Sequence, residues 1–215
     1  YFMCSWHKKF ISVKIISIKQ KRKSNRPNNK ILQEQNKHPI IPKWNNWKWQ
    51  RGKMNIIEYE EKYLEDVKDL LVELEEYIIS IDEDNLDRLH DDYRDKMALL
   101  DLKDVNENEG KCYLAIDNNK VVGLIMGCIF PYKEYDYLDY KCPRRGEVTE
   151  LIVSKNTRSK GVGNLLMDKI EEYFKSKDCT HIIIDVFAYN KNAFNFYSKK
   201  GYHPRMHTVI KDISM

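Results

Sequence analysis

Several things are scarce in this chain of 215 residues. There are five cysteines (Cys4, Cys112, Cys128, Cys142, Cys179), an odd number with no C-x-x-C pair. That argues against a disulfide framework and against a zinc site, and it fits a reducing, cytoplasmic compartment with each thiol acting as a small apolar filler. Apolar runs are short. None approaches the roughly 20 residues needed to cross a bilayer, so no membrane partner is expected. Acid is scarce in one region only: residues 1–53 hold fourteen Lys/Arg against a single acid, Glu34. The remainder carries 23 basic and 32 acidic residues, so a leader of about +13 precedes a body of about −9.

The leader differs from the rest in other ways. All four tryptophans (Trp6, Trp44, Trp47, Trp49) lie in it, among Lys, Asn, Ile and Gln with little periodicity. Position 1 is Tyr, whereas Met54 opens a regular pattern. Three readings compete. A basic tail could bind nucleic acid or an anionic surface. A targeting segment is opposed by Lys14 and Lys19, which interrupt the apolar run 10–18, and by the lack of a small-residue cleavage site. The favoured expectation is an upstream translated extension, disordered or loosely docked, followed by one domain over residues 54–215.

The stretch that organises the domain is RRGEVTELIVSKNTRSKGVG, residues 144–163. Val148, Thr149, Leu151, Ile152 and Val153 are strand formers bounded by Gly146 and by Ser154-Lys155-Asn156. After Gly163 the apolar period changes: Val162, Leu165, Leu166, Ile170, Tyr173 and Phe174 recur at helical spacing. The loop Arg158-Ser159-Lys160-Gly161-Val162-Gly163 therefore opens a helix. No Ser, Thr, Asp or Asn immediately precedes Gly161 to cap it; Ser159 is two residues back. A helix start leaves N–H groups unpaired and carries partial positive charge, to which Arg158 and Lys160 add. Two glycines allow close approach, so a phosphate or pyrophosphate is the simplest completion. The spacing lacks the third Gly of a dinucleotide fingerprint, because position 166 is Leu, and no G-K-[ST] follows.

The rest alternates elements. A short strand at 55–59 precedes an amphipathic helix at 61–80, and an acidic stretch from Asp82 leads to a second helix through about Leu100. Strands at 112–116 and 120–129 flank the hairpin turn Asp117-Asn118-Asn119. A Tyr- and acid-rich loop spans 131–143. A strand at 181–187, with Ile182, Ile183 and Ile184 reading as buried on both faces, a helix at 192–200 ending at Gly201, and a strand at 202–210 complete the order β-α-α-β-β-β-α-β-α-β.

The stretch Leu151-Ile152-Val153 with Arg158-x-x-Gly161-x-Gly163 resembles motif A of the GNAT family, the GCN5-related N-acetyltransferases. A second stretch, Asn190-Lys191-Asn192-Ala193-x-x-Phe196-Tyr197-x-x-x-Gly201-Tyr202, is similar to the family's strand-5 and helix-4 signature. Lys155 stands where Pro is frequent and Ser159 where Gly is frequent, and neither change removes a backbone donor. The resemblance covers 54–210 and implies an α/β (α+β) acyl-CoA N-acyltransferase fold, a mixed central sheet flanked by helices.

It also implies a reaction: transfer of an acetyl group from acetyl-CoA, a co-substrate, to a primary amine by direct attack in a ternary complex, with no metal. The pyrophosphate is then expected on Arg158, Ser159, Lys160, Gly161, Val162 and Gly163, and the pantetheine arm beside the backbone of Leu151, Ile152 and Val153. Asn190 and Asn192 are expected to cap the last helix, with Asn190 reaching the coenzyme. An alkyl ammonium with a pKa of about 10.4 needs a base at neutral pH. Glu147 and Glu150 are the candidates on the central strand, and their odd separation places them on opposite faces. Glu150 matches the position where many family members carry a carboxylate, and Tyr197 matches the tyrosine that approaches the coenzyme sulfur as an acid. His181, His203 and His207 read as strand-edge or surface residues.

Acid and tyrosine at 82–95 and 132–140 suit a cationic acceptor. A polyamine, an aminoglycoside-like amine, a lysine side chain and a peptide N-terminus all qualify, to a monomer or homodimer. Two other classes stay open: a coenzyme-A-binding regulatory module without turnover, and a factor tethered to nucleic acid through residues 1–53.

Overall fold

The computed structural model describes residues 54–214. The expectations for residues 1–53 fall outside the described residues.

A five-stranded sheet in the order β1-β2-β3-β4-β5 forms the frame. β1 (Asn55–Glu58), β2 (Lys111–Asp117), β3 (Lys120–Cys128) and β4 (Arg145–Val153) pair antiparallel in succession. β5 (His181–Ile184) pairs parallel to β4 after the crossover through α3 (Val162–Ser176). Alternation on the strands divides the apolar residues between two cores. Leu114, Leu124, Met126 and Ile152 pack under α1 (Leu64–Ile81) and α2 (Tyr93–Glu107), against Val67, Leu71 and Ala98. Tyr113, Ile125 and Val148 pack under α3, against Leu166, Ile170 and Phe174, with Tyr197 of α4 (Lys191–Lys199) at the margin. Gly146 and Gly127 let α3 sit this close: a Cβ on Gly146 would lie 2.4 Å from the Phe174 ring.

The mixed sheet with flanking helices is the expected fold class, and four details of the expected layout differ. The second helix begins only at Tyr93 and runs to Glu107. Residues 82–92 instead form a loop organised by Asp82, whose carboxylate accepts hydrogen bonds from the N–H groups of Asp84, Leu86 and Asp87. An Asp satisfied by local backbone donors favours a turn over a helix. β5 ends at Ile184 and is half-buried, because as the edge strand it has a single neighbour. The segment 202–210 carries no strand, so the order closes on α4. Val209 and Ile210 are exposed, and Pro204 offers no N–H to a ladder; strand-forming residues make a strand only where a partner edge receives them.

The fourth difference bears on the site. Glu147 and Glu150 share a face. Met126 pairs with Glu150 while the next residue, Gly127, pairs with Val148, so β4 carries one extra residue at Thr149. That bulge resets the alternation. Glu147 sits opposite Cys128 and Glu150 opposite Met126, and both cysteine and methionine belong to the core under α1 and α2.

Candidate active site

The site forms where β4 and β5 part. Their pairing stops at Val148 with Ile184, although β4 continues to Val153. Among the described residues, 149–153 therefore present one backbone edge with no strand beside it. Leu151 and Val153 turn toward α3 and Ile152 toward α1, so the apolar side chains are committed to packing and the backbone is what remains available. One group on that edge is already used: the Val153 carbonyl accepts from Arg158 Nε at 3.0 Å.

The loop after β4 rises to α3 through Ser159 (φ 63°) and Gly161 (φ 79°), both left-handed. Gly161 is the N-cap of α3 and no side chain caps the helix. Among the described residues, no hydrogen bond satisfies the N–H groups from Arg158 to Gly163; the first is Asn164 N–H to the Gly161 carbonyl at 3.0 Å. Lys160 is exposed and Val162 is buried as the anchor of the helix. Arg158 is held from three sides. It bonds Val153, its guanidinium lies 5.2 Å from the Tyr77 ring centroid, and it is 3.7 Å from Glu73. Glu73 also accepts the Lys155 N–H at 2.6 Å, which ties the loop to α1. Arg158 thus shapes the loop as well as charging it.

On the α1–α2 side of β4 the chemistry is reversed. Glu150 lies deep in the protein while keeping part of its surface open, as a group at the bottom of a cleft does. No hydrogen bond reaches it from the described residues. Burial pushes its carboxyl well above the usual range, and Asp101 and Glu75 push in the same direction. Asp101, on the inner stripe of α2, is pushed up to about 7 by burial and by Asp104, and its Oδ2 is buried with no partner. Glu75 is raised by burial and by Asp87, against the opposing hydrogen bond from Tyr93, whose hydroxyl donates to it at 3.3 Å. The Tyr93 hydroxyl is held firmly protonated by burial and by Glu75, Glu150 and Asp101.

Tyr197, which packs in the core under α3, feels the Glu150 charge. Burial and the Glu150 charge push its hydroxyl up to about 12, so it keeps its proton at neutral pH. Its ring is fixed edge-on by Phe196 at 5.2 Å and Tyr202 at 5.9 Å. Asn190 caps α4, its side chain accepting from Ala193 N–H at 3.0 Å and from Tyr77 at 3.5 Å. Asn192 is an exposed residue in the first turn of α4 and does not cap it.

Two groups of the expected residues therefore gather on β4: the loop 158–163 at the end of the strand, and Glu150, whose charge Tyr197 feels, midway along it. Glu147 sits opposite Cys128, whose thiol also feels Asp104 and Asp101. Sequence reasoning missed Glu75, Asp101, Tyr77 and Tyr93. A signal existed for two of them. Glu75 follows Leu71 by one turn, and Asp101 stands three residues after Ala98 and four before Val105, so both are carboxylates on apolar stripes.

A mixed sheet whose β4 parts from the edge strand β5, an uncapped loop offering N–H groups and a deep carboxylate beside it make up the candidate site of this α/β domain. The Acetyltransferase (GNAT) family profile matches residues 66–202, and the chain belongs to that family. An uncharacterized N-acetyltransferase of Methanocaldococcus jannaschii is 31% identical over 94 residues, which is 43% of this chain and 53% of that protein. The chain thus spans about half the length of this relative. Among solved structures, a mutant of a Bacillus halodurans protein superposes with a TM-score of 0.64 at 18% identity, covering 75% of this chain and 100% of that one. A putative acetyl transferase from Pyrococcus furiosus gives 0.57 at 22%, with 75% and 100% covered. AAC(6')-Iy in complex with a CoA-linked acetylneamine bisubstrate analog gives 0.55 at 13%, with 76% and 100% covered. Identities this low speak to the fold alone. Among the described residues no helix is long and apolar enough to cross a membrane.

Proposed function

We propose that this chain transfers an acetyl group from acetyl-CoA to a primary amine, both bound at once. The observation that carries the proposal is the parting of β4 from β5 beside an uncapped helix start, with Glu150 deep on the same strand and without a hydrogen bond from the described residues. A pyrophosphate suits the N–H groups of 158–163, with Lys160 and Arg158 adding charge. A peptide-like pantetheine arm suits the free edge of 151–153, and the Asn190 side-chain amide lies at the head of α4 to meet it. The bisubstrate complex of AAC(6')-Iy, a protein of similar fold, carries a coenzyme A moiety joined to an amine acceptor, which fits the same reading.

The chemistry follows from the two titrating groups. The acceptor arrives as an ammonium ion and gives one proton to Glu150, directly or through water. A carboxylate raised by burial is a stronger base than one in water. The free amine nitrogen attacks the thioester carbonyl; a C–N bond forms and the C–S bond breaks. The departing sulfur takes a proton from Tyr197, and Tyr197 regains one from the nitrogen of the collapsing adduct. A thiolate is a tolerable leaving group, so the acid contributes less than the base. The products are the N-acetyl amine, coenzyme A and one proton.

The test uses the full chain: calorimetric titration with acetyl-CoA, then an amine panel assayed for release of free thiol. Micromolar binding with amine-dependent release is expected. Binding without release from any amine would indicate a coenzyme-binding module without turnover, and no binding would remove the pyrophosphate assignment.

A further inference from the structure

Tyr77 stands where separate parts of the site meet. It is half-buried in the last turns of α1, one turn after Glu73. α1 covers one face of the sheet and α4 packs on the other, so their side chains can touch only past the end or edge of a strand. β5 ends at Ile184, and beyond that point Tyr77 reaches Asn190, the N-cap of α4. Tyr189 makes a second crossing of the same kind, donating to Asp84 in the loop after α1 at 3.0 Å.

The hydrogen bonds settle how Asn190 is turned. The N–H of Ala193 can only donate, so the Asn190 atom it meets at 3.0 Å is the amide oxygen. The Tyr77 hydroxyl donates to the same oxygen at 3.5 Å, a long bond whose share is small beside that of the cap. Both bonds fall on Oδ1, and the Nδ2 group makes no hydrogen bond among the described residues. An amide anchored by its oxygen presents its two N–H donors outward.

The Tyr77 ring has a different partner. The Arg158 guanidinium lies 5.2 Å from its centroid, while Arg158 Nε donates to the Val153 carbonyl at 3.0 Å and Glu73 lies 3.7 Å away. Glu73 and Tyr77 are four residues apart and therefore share a face of α1. Arg158 is the first residue of the loop whose N–H groups lack acceptors, so the ring helps to hold that loop where it begins.

We propose that Tyr77 is a positioning residue for the coenzyme: its ring seats Arg158 at the pyrophosphate loop, and its hydroxyl orients Asn190 so that the amide N–H groups meet the pantetheine arm. This rests on the transferase reading above and adds a residue to its coenzyme site. One side chain then joins the two segments that take different parts of the same ligand. The two roles lie on different atoms, so substitution separates them.

Calorimetric titration of the full chain with acetyl-CoA, and with ADP as a probe that carries the pyrophosphate but no arm, tests this without turnover. Tyr77→Phe keeps the ring and removes the hydroxyl. Acetyl-CoA should then bind roughly two- to fivefold more weakly, with ADP affinity as in the parent. In an Asn190→Ala background the same change should have no further effect, because the hydroxyl acts through Asn190. Tyr77→Leu removes the ring as well, and ADP affinity should then also fall about two- to fivefold. A purely structural role would weaken both ligands together in Tyr77→Phe and would persist without Asn190. That result, or unchanged acetyl-CoA affinity in Tyr77→Phe, overturns the proposal and leaves the transferase reading intact, since the parent still binds acetyl-CoA. A parent that binds neither ligand removes both. If Tyr77→Leu fails to fold, the Tyr77→Phe measurements with and without Asn190 decide the matter.

Discussion

The two flanks of β4 are opposites. Where the strand ends, the loop 158–163 offers hydrogen-bond donors with no acceptors among the described residues. Midway along it, Glu150 and its neighbours offer acceptors with no donors apart from the Tyr93 hydroxyl on Glu75. A folded chain ordinarily satisfies both kinds of group internally. Two groups of opposite polarity left unsatisfied within one strand's length fit the proposed reading, in which an anionic coenzyme meets the loop and the amine acceptor meets Glu150. The free edge of 151–153 lies between the two. Whatever bridges them must pass along that edge, which suits a long molecule with a phosphate at one end and an electrophile at the other.

The largest effect expected from breaking this contrast is at Glu150. Glu150→Gln keeps the shape and removes the base. Turnover should fall by about two orders of magnitude or more at neutral pH, while acetyl-CoA affinity stays unchanged because the loop donors are untouched. The deficit should narrow as pH rises toward 10, where the acceptor amine is already free. Parallel pH profiles for the two proteins would show that Glu150 is not the base. The variant should also be the more stable of the pair, since it removes a charge from a place where charge is unwelcome.

The halves of the molecule differed in how much their sequence disclosed. The loop and its helix were legible because the signal is local: an uncapped start, two glycines and a change of apolar period fall within twenty residues. The Asn190 cap of the last helix was legible for the same reason, inside one short signature. The acids around Glu150 were not, because Glu75, Asp101 and Glu150 come from three separate elements, and their depth depends on how α1 and α2 lie over the sheet. The shared face of Glu147 and Glu150 was hidden by the bulge at Thr149, which depends on the register with β3 and leaves no mark in β4 itself. The missing strand at 202–210 is a reminder that Val209 and Ile210 declare a preference, whereas a strand requires an edge to receive it.

A middle-sized effect sharpens the contrast through pH. Asp101 is near 7 in the fold against an unfolded value near 3.8, and Glu150 is raised in the same sense. The folded state therefore holds protons that the unfolded state releases. This contribution to stability is fully present below about pH 4 and is lost as pH rises through about 7. Other carboxylates, such as Glu65 and Asp92, are lowered by Lys68 and Lys96 and act in the opposite direction. The diagnostic is thus a difference: the Tm advantage of Asp101→Asn over the parent should be smallest near pH 4 and largest at pH 8. A cationic ligand should raise the parent's Tm more at pH 8 than at pH 5. A gap that does not change with pH would mean that Asp101 is not held protonated by its burial.

The smallest effect tests the donor flank alone. Ser159 adopts φ 63°, a conformation that costs a residue bearing a Cβ about 1–2 kcal/mol and costs glycine little. Glycine in turn loses roughly 0.5–1 kcal/mol through the greater freedom of the unfolded chain. Ser159→Gly should therefore stabilise the protein by up to about 1 kcal/mol, or about 2–4 °C in Tm. The N–H of residue 159 survives the change, and the Ser159 hydroxyl donates no hydrogen bond among the described residues. Acetyl-CoA affinity should accordingly stay within about twofold. A large loss of affinity would mean that the hydroxyl itself binds the phosphate, and the donor flank would then include a side chain as well as the backbone. A fall in Tm would mean instead that the loop depends on the serine for its shape.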